Sequence, residues 1–310
     1  MSLGSDRAIP VRAPYDWAAM TDFLAGRAIP GVESVQPGLY RRTLRHRGVH
    51  GTVAVEPARD ALRVTIDLPA GDHDAILDRL RGLFDTEAAP EPIAARLAAD
   101  PALAPLVRAR PGLRVPGAFD GFEMAVRAIL GQQVSVAVAT RLAGRLVAAL
   151  GTPLAPDLAA RSDGLTHLFP EAERLAEADV AAALNMPRAR GRAISSLAAA
   201  CLAEPDLFAP GQGLDRAVER LTALPGIGAW TAQYIAMRAL REPDALPVGD
   251  IGLLRALDLG RGRPTPAELL RRAEGWRPWR SYAVLHLWTG DAARIAEQEP
   301  GSAGRAGGRR

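Results

Sequence analysis

The chain has 310 residues, 48% of them hydrophobic, which is enough to build full-sized cores and two or three domains. The formal charge is +3, the pI is about 9.6, and all 38 basic residues are arginine, a side chain suited to phosphate. That composition admits a nucleic-acid partner, and a GC-rich genome that favours arginine codons explains it equally. The single cysteine, Cys201, excludes a disulfide framework and any cysteine-ligated zinc or iron–sulfur site. No secretory signal core and no apolar run of about 18 residues occurs, so a cytosolic chain without a membrane span is expected.

A short helix is expected from Tyr15 to Leu24. The segments "HGTVAVEP" and "ALRVTIDL" then alternate β-branched and polar residues, with Gly48, Pro57 and Asp60 as punctuation, which predicts an antiparallel meander. Residues 1–96 read as a small α+β domain. Beyond them the strand signal vanishes, and the chain to about residue 296 reads as short helices separated by Pro and Gly. The tail, 297–310, carries "GSAGRAGGRR" and is expected to be disordered.

In "FEMAVRAILGQQVSVAVATRLAGRLV" a first helix places Phe122, Val126 and Ile129 on one face and breaks at Gly131. A second starts under a Ser135 cap, which leaves Gln132 and Gln133 in the turn between them. Further on stands "LPGIGAWTAQYIAMRALREPDALPVGD", in which Gly226 and Gly228 bracket Ile227 just after Pro225. This is a tight turn with unshielded amides that opens a helix near Ala229, and the preceding helix from about Asp215 makes the unit helix, hairpin, helix. Such amides at a helix N-terminus can hold one phosphate, although most Gly-x-Gly turns only join helices. Trp230, Tyr234 and Met237 share a helix face, as a core stripe does. Asp250, ahead of "IGLLRAL", suits a helix N-cap as well as a catalytic carboxylate.

The order Leu-Pro-Gly-Ile-Gly, helix, Pro-rich connection, Val-Gly-Asp resembles the helix-hairpin-helix DNA glycosylase superfamily. "PYDWAAMTDFLAGRAIPGVESV", "RPGLRVPGAFDGFEMAVRAILGQQVSV" and "WRPWRSYAVLHLW" extend the likeness, over about residues 13–290, to the 3-methyladenine DNA glycosylase II family. The resemblance implies an α+β fold: a small N-terminal antiparallel-sheet domain (1–96) followed by a two-lobed all-helical core. One lobe would span 121–242, with the helix-hairpin-helix at about 215–240, and an outer lobe would join 97–120 to 243–296.

It also implies an enzyme that flips 3-methyladenine, 7-methylguanine, 3-methylguanine and related lesions out of double-stranded DNA and hydrolyses the glycosidic bond. Asp250 would be catalytic, and Trp230, Tyr234 and Trp288 would line the base pocket. Leu224, Pro225, Gly226, Ile227 and Gly228 would clamp a backbone phosphate, and Gln133 with Gln132 would wedge into the base stack. No metal or other cofactor is required, save a monovalent cation that the hairpin could hold. The expected setting is the bacterial cytoplasm, on the nucleoid, as a monomer without a membrane partner.

Two departures stand out. Gln133 occupies the place of the family's apolar wedge, and Thr289 follows Trp288 where the resemblance leads one to expect a pocket tyrosine. Superfamily members that also cut the strand carry a lysine at the start of the helix after the hairpin. Here that place holds Trp230, and the chain has no lysine, so base excision without strand incision is expected. The alternative is a non-catalytic helix-hairpin-helix DNA-binding module, which would need neither Asp250 nor the aromatic slot.

Overall fold

A computed structural model describes residues 5–69, 71–258 and 262–298. Five strands, β1 (Ser5–Pro10), β2 (Glu33–Gln36), β3 (Leu39–His46), β4 (Val49–Ala58) and β5 (Ala61–Asp67), form an antiparallel sheet in the order β1-β5-β4-β3-β2. The alternation in β3, β4 and β5 sets the register. Tyr40 pairs with Val55 and Val55 with Val64, so all three fall on one face and are fully buried. Helix Asp74–Phe84 contributes Ile76, Leu80, Leu83 and Phe84 to the same apolar cluster.

The edge strands β1 and β2 add to the meander expected from sequence. Their pairing is long-range for β1, against β5, and short for β2, so neither shows a strong local pattern. The first helix is Trp17–Ala25, two residues later than expected at its start, because the Asp16 side chain accepts from Ala19 N and fixes the boundary. The remainder is helical apart from a two-residue pair, β6 (Thr152–Pro153) with β7 (His167–Leu168), which corrects the expectation of a helix-only half. The last helix, Arg280–Gln298, runs two residues into the segment expected to be a disordered tail; the rest of that segment lies outside the described residues.

Side-chain caps start three of the helices that line the cleft. Asp120 accepts from Glu123 N to begin Gly121–Leu130, Ser135 accepts from Val138 N to begin Val136–Leu150, and Asp250 accepts from Leu253 N to begin Ile251–Ala256. Buried charges tie the sheet to the first of these helices. From β3, Arg42 donates to Glu123 at 2.6 Å, and Arg127 bridges Glu123 at 3.1 Å and Glu33 of β2 at 2.9 Å. Tyr40 Oη donates to Glu33 at 2.8 Å. Burial opposes the Glu33 charge, but Arg127 and Arg42 outweigh it and hold the carboxyl below its ordinary range. Removing one member would strand a buried charge, so this network fixes the helix that ends at the Gln132–Gln133 turn.

Candidate active site

A cleft of about 750 Å³ is lined by Trp230, Tyr234, Asp250 and Trp288, within the usual size range of small-ligand pockets. Trp230 and Tyr234 project from helix Ala229–Arg238 and stack face to face, centroids 5.3 Å apart and planes 8° from parallel. Trp288, from helix Arg280–Gln298, lies tilted at 6.2 Å from Tyr234. Met237, read from sequence as part of the same stripe, is buried in the core instead. The stripe thus runs from the cleft into the interior.

Asp250 is both an N-cap and a cleft residue, so the two readings of it from sequence do not exclude each other. Its Oδ1 accepts from Leu253 N and from Trp288 Nε1, each at 2.9 Å, and its Oδ2 accepts from Trp230 Nε1 at 3.2 Å. An ionised carboxylate has about four lone-pair sites. Three are occupied, two of them by the indoles that wall the cleft, and the fourth is on Oδ2.

At the hairpin only Gly226 has a left-handed backbone, φ +81°, whereas Gly228 has φ −85° and serves as the N-cap of helix Ala229–Arg238. A Cβ at Gly226 would sit 2.6 Å from Ala193 Cβ, so the close packing on helix Arg188–Ala203 also requires glycine. Ile227 is buried and Leu224 partly so, while Pro225, Gly226 and Gly228 are exposed. No side chain caps Gly228, which leaves the first amides of the helix without that kind of acceptor. The hairpin offers a cation only backbone carbonyls: Leu224 O accepts Ile227 N, and Gly226 O accepts Gln132 Nε2, each keeping one lone pair. Among the described residues no group of three His, Cys, Asp or Glu side chains could hold a metal ion.

The two glutamines differ. Gln132 Nε2 donates to Gly226 O at 2.8 Å and to Thr231 Oγ1 at 3.2 Å, so this side chain braces the hairpin. Gln133 is exposed, has φ +60° and makes no side-chain hydrogen bond among the described residues. Thr289 is not part of the cleft lining. Trp276 is structural: its Nε1 donates to Asp100 at 2.8 Å. Burial opposes the Asp100 charge, yet Arg272 and Trp276 draw its pKa down to about 2. Trp279 packs edge-on against Tyr282, centroids 5.8 Å apart.

Sequence reasoning missed the arginines behind the aromatic slot. Arg238 Nη1 donates to Tyr234 Oη at 2.8 Å, and Arg27 lines the same cleft, its charge acting on that phenol. Burial raises the Tyr234 pKa, but Arg238, Arg27 and Arg127 together bring it below the ordinary phenol value. Arg238 is itself pushed down to about 10, by burial first and then by the neighbouring guanidiniums. Nothing in the residues around Arg27 in sequence distinguishes it from a surface charge.

The family follows from the sequence and the fold together. The AlkA N-terminal domain matches residues 7–120, and the HhH-GPD superfamily base excision DNA repair protein matches residues 126–281. The chain therefore belongs to the HhH-GPD superfamily of base excision DNA repair proteins. It is 39% identical to DNA-3-methyladenine glycosylase 2 of Escherichia coli over 89% of this chain and 94% of that one. It is 45% identical to a probable bifunctional transcriptional activator/DNA repair enzyme AlkA of Mycobacterium tuberculosis over 91% of this chain, but spans only 56% of that protein's length. Among solved structures, a 3-methyladenine DNA-glycosylase from Archaeoglobus fulgidus has the same fold, with a TM-score of 0.80 at 23% identity over 93% of this chain and 98% of that one. Within the superfamily the chain is of the AlkA-like, 3-methyladenine DNA glycosylase II type.

Proposed function

We propose that this chain is a monofunctional DNA glycosylase that flips alkylated purines out of double-stranded DNA and excises them by hydrolysis. The observation that carries this reading is the Asp250 carboxylate, held by Trp230 and Trp288 at the wall of an aromatic cleft. A phosphate-binding module needs no such arrangement. The names of its relatives point the same way.

Alkylation at N3 or N7 gives the purine a positive charge, so it departs as a neutral base and leaves cationic character on the sugar. Asp250 stabilises that charge and orients or deprotonates the attacking water, with the free lone pair on Oδ2 as the contact point. Trp230 and Tyr234 present stacked faces to the base, and Trp288 closes the slot; a cationic base gains about 0.5–2 kcal/mol over such faces. In the hairpin Leu224–Gly228 the amides of Gly226 and Gly228 are the ones offered to a backbone phosphate, since Pro225 has no N–H and those of Leu224 and Ile227 donate to Leu221 O and Leu224 O. Gln133 enters the vacated stack while Gln132 holds the hairpin in register with it. No lysine is present to form a Schiff base, which supports hydrolysis without strand incision.

The division into residues 1–96, an outer lobe of 97–120 with 243–296, and a lobe of 121–242 is part of the same reading. Its support is that the cleft draws on Gly121–Leu130 and Ala229–Arg238 from one side and Ile251–Ala256 and Arg280–Gln298 from the other. The test is release of free bases from methylated duplex DNA, resolved by chromatography. The proposal expects 3-methyladenine, 3-methylguanine and 7-methylguanine in the soluble fraction and the abasic strand uncut, and tight DNA binding with no base release would favour the non-catalytic module.

A further inference from the structure

Three arginines, Arg27, Arg127 and Arg238, lie along the cleft beside Tyr234, and they differ in what remains free. Arg127 is paired with Glu33 and Glu123 and also donates to Arg27 O. Arg238 is buried and spends its donors on Pro116 O, on Gly117 O at 3.1 Å and on Tyr234 Oη. Arg27 has no carboxylate within ion-pair distance among the described residues. Its guanidinium lies 3.6 Å over the Phe23 ring, and Nη1 donates to Phe23 O at 3.1 Å. A guanidinium has five N–H donors in a planar fork. One is accounted for at hydrogen-bond distance, and the others are left for an acceptor in the cleft that Arg27 lines.

Resting on the proposed function, the geometry points to Arg27 as the residue that reads the edge of the flipped base, donating to a carbonyl oxygen and so favouring guanine-type lesions over adenine-type ones. Arg27 lines the same cleft as the Trp230–Tyr234 stack and Trp288, so a base laid on those aromatic faces meets the guanidinium at its rim. An oxo group at the purine 6-position accepts such a donor. The 6-amino group of an adenine-type base turns N–H toward N–H and leaves both unsatisfied. The positive charge of Arg27 opposes any cationic base, but it does so alike for two bases methylated at the same nitrogen.

The discriminating pair is therefore 3-methylguanine and 3-methyladenine, both cationic and both methylated at N3. In base release from methylated DNA, Arg27→Met should lower the ratio of 3-methylguanine to 3-methyladenine rates by about tenfold or more, the scale of a hydrogen bond to a charged group. An unchanged ratio, whether both rates hold or both fall, overturns the assignment and makes Arg27 a structural support for Tyr234. A second arm needs no variant: free hypoxanthine and free adenine, neutral bases that differ at the 6-position, are titrated into the wild-type protein bound to a duplex with an abasic-site analogue. Tighter binding of hypoxanthine supports the reading, and equal affinity overturns it. A wild-type protein that releases no base would sink the proposed function, while the free-base titration would still decide the role of Arg27.

Discussion

Trp288 Nε1 lies 2.9 Å from Asp250 Oδ1, and the same oxygen accepts Leu253 N, so one carboxylate oxygen fixes a helix start and a pocket wall together. The aromatic slot and the acid are in this way a single construction. Replacing Trp288 by Phe keeps an aromatic face and removes the donor. Base release should slow by about tenfold, the scale of one hydrogen bond to a charged group, with affinity for an abasic-analogue duplex nearly unchanged. Single-turnover kinetics and a fluorescence titration would separate the two, and an unaltered rate would show that the indole nitrogen does not position Asp250.

Strand chemistry gives the second expectation. Trp230 occupies the first turn of the helix after the hairpin and its nitrogen is committed to Asp250, and no lysine exists elsewhere in the chain. Borohydride should trap no adduct through a lysine, and the abasic product should remain whole until alkali is added. Cleavage at neutral pH above the spontaneous rate would contradict this.

Gln133 is exposed in a left-handed turn, φ +60°, and Gln132 is bound to the hairpin, so on the proposed function it is Gln133 that would enter the base stack. Gln, Leu and Ala all bear a comparable left-handed backbone cost, so comparing them reports the side chain. Gln133→Leu should tighten binding to an abasic-analogue duplex by up to about 1 kcal/mol, and Gln133→Ala should weaken both binding and excision. Identical affinities for the three proteins would mean that this side chain never enters the DNA.

Asp85 supplies a pH signature. It accepts from Tyr282 Oη at 2.8 Å and from Val115 N, yet burial dominates and raises its pKa from 3.8 to about 6. A folded-state pKa above the unfolded one means that the associated stability is fully present below about pH 4 and is lost as pH rises through 6. His286 works in the opposite sense across an overlapping window, since burial lowers its pKa from 6.5 to about 4 and its contribution is lost as pH falls. The difference between wild type and Asp85→Asn isolates the carboxyl, because Asn still accepts both bonds. Asn should gain on the wild type between pH 4 and 7, by on the order of 3 kcal/mol at full extent. Parallel denaturation midpoints across that range would rule it out.

Much of the site was legible because its parts lie on local spacings: the glycine turn, the aromatic pair one helical turn apart, and the aspartate ahead of an apolar helix. The inner strands were legible for the same reason, through period-two alternation in β4 and β5. What stayed hidden depends on partners far apart in the chain. Arg42 and Glu123 are 81 positions apart, Gln132 and Gly226 are 94, and β1 pairs with a strand some sixty residues later. Scattered charges look like a solvated surface until the fold brings them together, which is why Glu33, Arg127 and Arg27 gave no signal. Asp250 shows the reverse case: local reasoning set cap against catalyst, and the geometry accommodates both.

That double role makes Asp250→Asn the most direct test of the central claim. Asparagine caps a helix about as well as aspartate, so the start of Ile251–Ala256 and the fold should survive while the negative charge is lost. Base release from methylated DNA should fall below detection, with binding to an abasic-analogue duplex kept within a few-fold, since the proposed function assigns the phosphate contacts to hairpin amides and arginines. A folded Asp250→Asn protein that excises bases at close to the wild-type rate would show that Asp250 only caps its helix and that the chemistry resides elsewhere.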